Sequence, residues 1–527
     1  RHGVVRAPQE RHLDEPEVRQ LNVSDQPVAG GRSDVEMTSA APPPTDAARG
    51  FLAAFAAGAV VSVVTFAFMV TDWTLDFGRR IPFGGDFYDA QAHSLLSGTL
   101  DMPASVVRLE GFRYHGHLVM YFGPFPALLR LPTAALTHSL DGRTGRAAML
   151  LAFVVAMIAG GRLLFRARRL VRRDAPWTRR EGWMTALAAI VLGVGSSLLF
   201  LGSGPFVYHE AIIWGVAFAL AAFDAILMWI EQPRDGLLLL AGLFTLCSLT
   251  SRLAVGLGPA MLLGMLLAFA ILRRWRRIER FQRGVGIDLR TIGPRAVMGL
   301  TAALVVPLAV YAAFNVIKFG TPFSVPYGRQ VASHILPERP ATLAANGGSL
   351  FNVRALASNL WAYVRPDALG FDSTFPWIAL PKTRASVIGD LRYDFLDYTP
   401  SLVTTMPVIV AFAVTGVVAI VRARARTVAA TARSFALPAI AAAAAGLPTL
   451  VIVYITPRYL ADFLPALIVP GVVGFQAFSA WADRSERRGF VRAVTAAVVV
   501  LALWGCVANV ATARQYQDEH GADFFAS

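Results

Sequence analysis

Two aspartates open the segment GDFYDAQAHSLLSGTLDMP, residues 85–103, in which Ala92, Leu95, Leu96 and Leu100 recur at helical spacing. Asp86 and Asp89 lie three apart, so on a helix both carboxylates face the same way. Such a pair can take a proton from a hydroxyl or hold a divalent cation. The same two residues also suit a helix start, with Asp86 as N-cap and Asp89 complementing the helix dipole. The apolar set reads as an amphipathic helix lying on a membrane surface. Other metal chemistry is not expected. The nine histidines show no HxxxH or HxxEH spacing, and Cys247 and Cys506 both lie inside apolar runs.

These residues sit in a chain of 527 residues that is 55% apolar and 16% charged, where soluble domains carry about 25% charge. Apolar runs recur from 50 to 513, which predicts an all-α polytopic membrane protein and excludes a soluble enzyme, a secreted disulfide scaffold or a single-anchor receptor. The ~20-residue spanning rule predicts about 11 transmembrane helices. They fall at 50–71, 146–165, 184–204, 208–230, 237–251, 256–272, 296–317, 401–421, 435–455, 460–481 and 493–513. The fifth and sixth are short and meet at a turn around Arg252. No fixed-period repeat suggests an inverted-repeat transporter.

A net charge of +14 invites a nucleic-acid partner, but the placement of the arginines argues against one. The short segments 166–183, 273–295, 422–434 and 482–492 hold 23 arginines, whereas the long polar segments 72–145 and 318–400 are far sparser in basic residues. The positive-inside rule then places the N-terminus and the dense segments in the cytoplasm and the two long loops outside. Residues 1–49, with six prolines and eight acidic residues, read as a disordered cytoplasmic tail. Residues 50–513 form the transmembrane domain, with outer loops 72–145 and 318–400, and 514–527 a short outer tail. The first apolar run has no cleavage signature and is expected to stay as an anchor. YFGPFPALLRLP (121–132) ends the first loop with helix breakers before a short apolar stretch returning to the interface.

The order of these features resembles the GT-C superfamily of membrane glycosyltransferases, the group that includes protein O-mannosyltransferases and aminoarabinose transferases. One helix leads to a long outer loop that opens with an acidic residue and continues into an AxxLLxG surface helix. GPFVYHEAIIWG (204–215) puts His209 and Glu210 at the outer end of the fourth helix, and TSRLAVGLGP (250–259) resembles the family's SRP stretch with Leu253 in place of proline. FNVIKFGTPFSVPYG (314–328) resembles the N-x-x-R-F-G-x-P segment, with Lys318 for arginine, and TPRYLADFLPAL (456–467) the R-Y helix start. The resemblance covers about residues 50–480. Many members carry an adjacent Asp-Glu. Here Asp86 and Asp89 precede Ala92 by six and three, which leaves open which one matches the family's acid.

The resemblance implies a GT-C-like fold and an inverting transfer of a sugar from a polyprenyl-phosphate donor to a glycan, glycolipid or protein acceptor at the outer face of a bacterial cytoplasmic membrane. Asp89 or Asp86 would be the catalytic base. Arg252, Lys318, Arg329 and Arg458 would stabilise the phosphate leaving group, for which a guanidinium fork is well suited. His209, Glu210 and Tyr459 complete the substrate-binding set. For Arg458 an i,i+4 pair with Asp462 competes with that role, and for Arg252 snorkelling to the interface. No cofactor is required, although a divalent cation at Asp86, Asp89 and Glu210 is chemically admissible. The second loop carries twelve aromatics in 83 residues, including Trp361, Tyr363, Trp377 and Tyr393, and reads as a lid over the donor or a packed cap. NGGSLFNVRALASNLWAYV (346–364) reads as a glycine turn leading into a helix. The rival reading is a transporter or flippase, or a degenerate GT-C-like scaffold. A transporter needs charge along a path in mid-helix, where Asp224 is the strong candidate.

Overall fold

The computed structural model describes residues 46–81, 84–172, 175–272, 293–423 and 433–519. Among them, nine helices are long and apolar enough to cross a membrane: Asp46–Val70, Gly145–Arg172, Arg179–Leu201, Val207–Glu231, Leu253–Ile271, Pro294–Phe319, Arg433–Val451, Pro457–Arg484 and Arg488–Glu519. The other two predicted spans are shorter apolar helices, Asp235–Leu249 and Pro407–Arg422. The all-α polytopic expectation therefore holds, with nine of the eleven predicted spans matched by helices of crossing length among the described residues and a turn at Thr250–Arg252 where one was expected. The last helix runs to Glu519, six residues past the predicted end of its span and into the segment read as a tail. The predicted N-terminal tail lies outside the described residues except at its end, where Asp46 opens the first helix.

Val207–Glu231 is the central helix, with 83% of its apolar window buried, against 17% for Pro294–Phe319 at the periphery. Peripheral helices expose Leu52, Leu239, Val305 and Val421, as lipid-facing surfaces do. Where helices meet, small residues let backbones touch. A Cβ added at Gly416 would lie 1.8 Å from the Pro470 carbonyl oxygen, and one at Gly474 would lie 1.9 Å from that of Phe412.

The two ends of the bundle differ in chemistry. At one end, arginines of Gly145–Arg172 clamp neighbouring helices. Arg162 and Arg166 reach Asp224 at 2.6 and 2.9 Å, Arg168 reaches Glu181 at 2.6 Å, and Arg172 reaches Asp483 at 2.5 Å. The opposite end carries both long loops and the turns at Gly202–Phe206, Thr250–Arg252 and Ile452–Thr456.

The first loop contains the helix Phe87–Leu96, an antiparallel hairpin (Gly111–Tyr114 with His117–Met120) and the short helices Phe125–Leu128 and Leu131–Leu136. The surface helix is real, and of the apolar set read in the sequence Ala92 is buried and Leu95 half-buried. Leu96 is exposed, and Phe87 and Tyr88 are buried as well, because this helix packs against the hairpin and Val207–Glu231. The second loop docks on the first through a bridge between Phe112 and Gln330, and Gly347 and Gly348, both at positive φ, precede the helix Ala355–Val364.

Candidate active site at the loop end

Three elements meet at one buried cation. Arg130, between the two short helices that end the first loop, donates Nη1 and Nη2 to the two carboxylate oxygens of Glu210, each at 2.8 Å. Its Nε lies 3.1 Å from Asp89 Oδ1 and 2.9 Å from Thr144 Oγ1. Asp89 in turn accepts from the Thr144 hydroxyl at 2.9 Å and the Gly142 N–H at 2.8 Å. All three charged side chains are at most 4% exposed. Burial pushes the Asp89 pKa up more than Arg130 and these hydrogen bonds pull it down, as expected of two carboxylates sharing one cation. Both Asp89 and Glu210, read in the sequence as base and substrate contact, are thus engaged in a charge triad that ties the loop to the central helix.

Asp86 is different. Its backbone at φ −102°, ψ 0° lacks the extended geometry of a capping residue, and its side chain makes no cap hydrogen bond. It lies half-buried on the wall of an open cleft of about 710 Å³, together with Arg80, Ala90, His93, Ser94, Asp101, His138 and Asp141. Ala90, His93, Ser94 and Ser97 follow it along one helical face. Among the described residues, no ion pair or side-chain hydrogen bond holds its carboxylate. Burial raises its pKa above the usual aspartate range, against the pull of its own backbone N–H and of Arg80.

The predicted cations also separate. Arg252 grips Asp462 with two bonds, Nε at 3.0 Å and Nη2 at 2.5 Å, and Thr449 donates to the same carboxylate at 2.9 Å. The partner that Arg252 lacks in sequence is therefore Asp462, supplied by a helix 210 residues away. That leaves Arg458 without the i,i+4 pair expected for it. Its Nη1 donates to Thr456 Oγ1 at 3.2 Å and Nη2 to the Tyr454 hydroxyl at 3.5 Å, while its Nε is buried with no hydrogen-bond partner among the described residues. Its guanidinium faces the rings of Tyr208, Tyr454 and Tyr459 at 4.6, 5.5 and 5.5 Å, and Tyr459 also carries Arg252 at 4.9 Å. Lys318 is buried, donates Nζ to the Phe122 carbonyl at 2.5 Å, and has no carboxylate within ion-pair distance among the described residues. Tyr121, Phe122, Arg252, Tyr327 and Tyr459 line a cavity of about 140 Å³ beside these cations.

Two of the predicted contacts lie apart from this arrangement. His209 is buried, with Nδ1 2.8 Å from the Gly204 carbonyl and rings of Phe200, Phe206 and Tyr516 around it. Arg329 is exposed and rests over the Tyr114 ring at 5.2 Å.

No family model matches the chain, and no curated protein matches it. Among solved structures, it is similar to the archaeal oligosaccharyltransferase AglB from Archaeoglobus fulgidus, in complex with an inhibitory peptide and a dolichol-phosphate. The identity is 16% and the TM-score 0.39, covering 89% of this chain and 55% of that one. It is also similar to ArnT from Cupriavidus metallidurans in the apo state, at 14% identity and a TM-score of 0.41, covering 91% of this chain and 80% of that one. This chain spans about half the length of the AglB chain.

Three groups were missed in the sequence. Arg130 is the one charge in the otherwise apolar run 121–136, and a lone arginine in such a run must find a carboxylate. Glu110 accepts from Gln330 Nε2 at 3.0 Å and from the Tyr208 hydroxyl. Burial raises its pKa, opposed by that hydroxyl and by nearby Arg458. His93, His138 and Asp141 converge on one point, with the histidines 45 positions apart in sequence. No local motif announces them.

Proposed function

We propose that this chain is an inverting glycosyltransferase of the cytoplasmic membrane. It moves a sugar from a polyprenyl-phosphate donor to an acceptor hydroxyl of a cell-envelope glycan, glycolipid or protein at the outer face. The observation that carries the reading is a division of labour at the loop end. One carboxylate, Asp86, stands on an open cleft with no ion pair among the described residues, and one half-buried guanidinium, Arg458, has no carboxylate within ion-pair distance among them. The neighbouring charges are engaged in two groups, Asp89 and Glu210 with Arg130, and Arg252 with Asp462.

Asp86 is the base in this reading. The acceptor oxygen attacks the anomeric carbon from the side opposite the phosphate, the carbon–oxygen bond to phosphate breaks, and its electron pair leaves with the phosphate. Asp86 Oδ takes the hydroxyl proton as the new bond forms. A carboxylate remains a weak base for a hydroxyl, so the proton moves late, when oxocarbenium character has made the oxygen acidic. A pKa raised by burial narrows the mismatch. Arg458 meets the charge growing on the phosphate, and the Tyr208 ring against it is a surface on which a polar headgroup can lie. Arg108 and Glu110, on one short turn, link the two parts: Arg108 acts on Asp86 and Arg458 on Glu110.

The outward placement rests on the positive-inside rule, because arginines crowd the end opposite the site. A transporter path has little support, since Asp224 is held by Arg162 and Arg166. Membranes containing the chain, supplied with a panel of radiolabelled polyprenyl-phosphate sugars and envelope extract as acceptor, test the reading. Label transferred to acceptor is expected. Uptake or flipping of the lipid without transfer would overturn the reading in favour of a flippase.

A further inference from the structure

The wall of the cleft facing Asp86 carries a second cluster. His93 Nε2 lies 3.1 Å from both oxygens of Asp141, and His138 Nδ1 lies 3.1 Å from Asp141 Oδ2. The two imidazole rings stack with centroids 4.1 Å apart, so both present a nitrogen to the same carboxylate. One ligand atom from each residue falls within 4.8 Å of the others. We propose that His93, His138 and Asp141 form a binding site for a divalent transition-metal ion of the zinc class.

The donor set fits. Metal–ligand bonds of about 2.0–2.2 Å at tetrahedral angles place donor atoms about 3.4 Å apart, a few tenths of an ångström from the two histidine–carboxylate separations of 3.1 Å here. Two imidazoles and one carboxylate select late first-row ions over magnesium or calcium, which prefer all-oxygen sets. The ligands are also held from behind. Gly142, which follows Asp141 at φ +72°, donates its N–H to buried Asp89 and accepts from the Ile81 N–H at 2.9 Å, so the turn carrying two of the ligands is fastened to the charge triad. His93 comes from the surface helix, whose first turn carries Asp89 itself. The fourth position opens onto the cleft of about 710 Å³ that Asp86 shares, which is the arrangement of a site that keeps a water or ligand position free. Packing alone gives little reason for the pair, since the His138 side chain is 80% exposed and still stacks on His93.

The test uses the full chain, purified in detergent with a tag free of histidine and stripped with EDTA. After reloading with excess ZnCl₂ and exhaustive dialysis, zinc content is measured by mass spectrometry, and Co²⁺ substitution is read by its visible d–d bands. One zinc per chain and tetrahedral cobalt bands are expected, with affinity reduced at least about tenfold in His138→Ala and in Asp141→Asn. Because His138 is exposed, its variant is expected to elute and melt like the wild type, which keeps loss of metal apart from loss of fold. A wild-type chain that binds no stoichiometric zinc or cobalt, or variants that bind like wild type, would overturn the proposal. The readout is metal content, so it stands whether or not the transferase reading does.

Discussion

Asp86 and Asp89 are three residues apart and have opposite circumstances. Asp89 gives its oxygens to Arg130, Thr144 and Gly142, while Asp86 faces the cleft. Spacing told us that both could face one way; it held no record of Arg130, 41 residues further on. Replacing Arg130 with methionine strands two buried carboxylates. A loss of about 3–5 kcal/mol of stability is expected, read as a drop in thermal midpoint in detergent, with partial recovery when Glu210→Gln is added. Asp86 contributes in the other direction. Its folded pKa is raised above the unfolded value, so its ionised form costs stability at neutral pH, and that cost disappears as pH falls through the raised pKa. Asp86→Asn is therefore expected to melt at or above the wild-type temperature while losing transfer. The pH profile of kcat/KM follows the same group: activity is expected to fall as pH drops through a pKa above that of an ordinary aspartate, because the base must be ionised.

At the scale of elements, most spans were legible, because some twenty apolar residues in a row have few alternatives to a membrane helix. The surface helix was legible as a helix and in part as to its buried face. Ala92 of the expected stripe is buried and Leu96 is not, and the hairpin and central helix bury Phe87 and Tyr88 in addition. Pairing between elements was not legible. Sequence proximity suggested Asp462 for Arg458, whereas helix packing delivers it to Arg252 across 210 residues. Small residues at crossings carry a testable consequence. At Gly416 a side chain meets backbone rather than a movable side chain, so Gly416→Val is expected to force Pro407–Arg422 away from Leu464–Arg484. It should lower the thermal midpoint by an amount equivalent to about 1–3 kcal/mol or more.

For the molecule as a whole, charge distribution and chemistry point the same way: arginine clamps at one end, loops, cleft and unpaired groups at the other. Sidedness follows as an expectation. In cells, a cysteine at exposed Ser373 in the second loop should react with a membrane-impermeant thiol reagent, while one at exposed Glu486 should react only after permeabilisation. The reverse pattern would put the cleft in the cytoplasm, where a lipid-phosphate donor is not needed. The most direct test of the central claim is sugar transfer from radiolabelled polyprenyl-phosphate donors by wild type, Asp86→Asn and Asp89→Asn at matched protein levels. The expected result is transfer by wild type, a loss of at least about a hundredfold in Asp86→Asn, and substantial activity retained by Asp89→Asn wherever that variant folds. Wild-type rates in Asp86→Asn would contradict the assignment of the free carboxylate as the base.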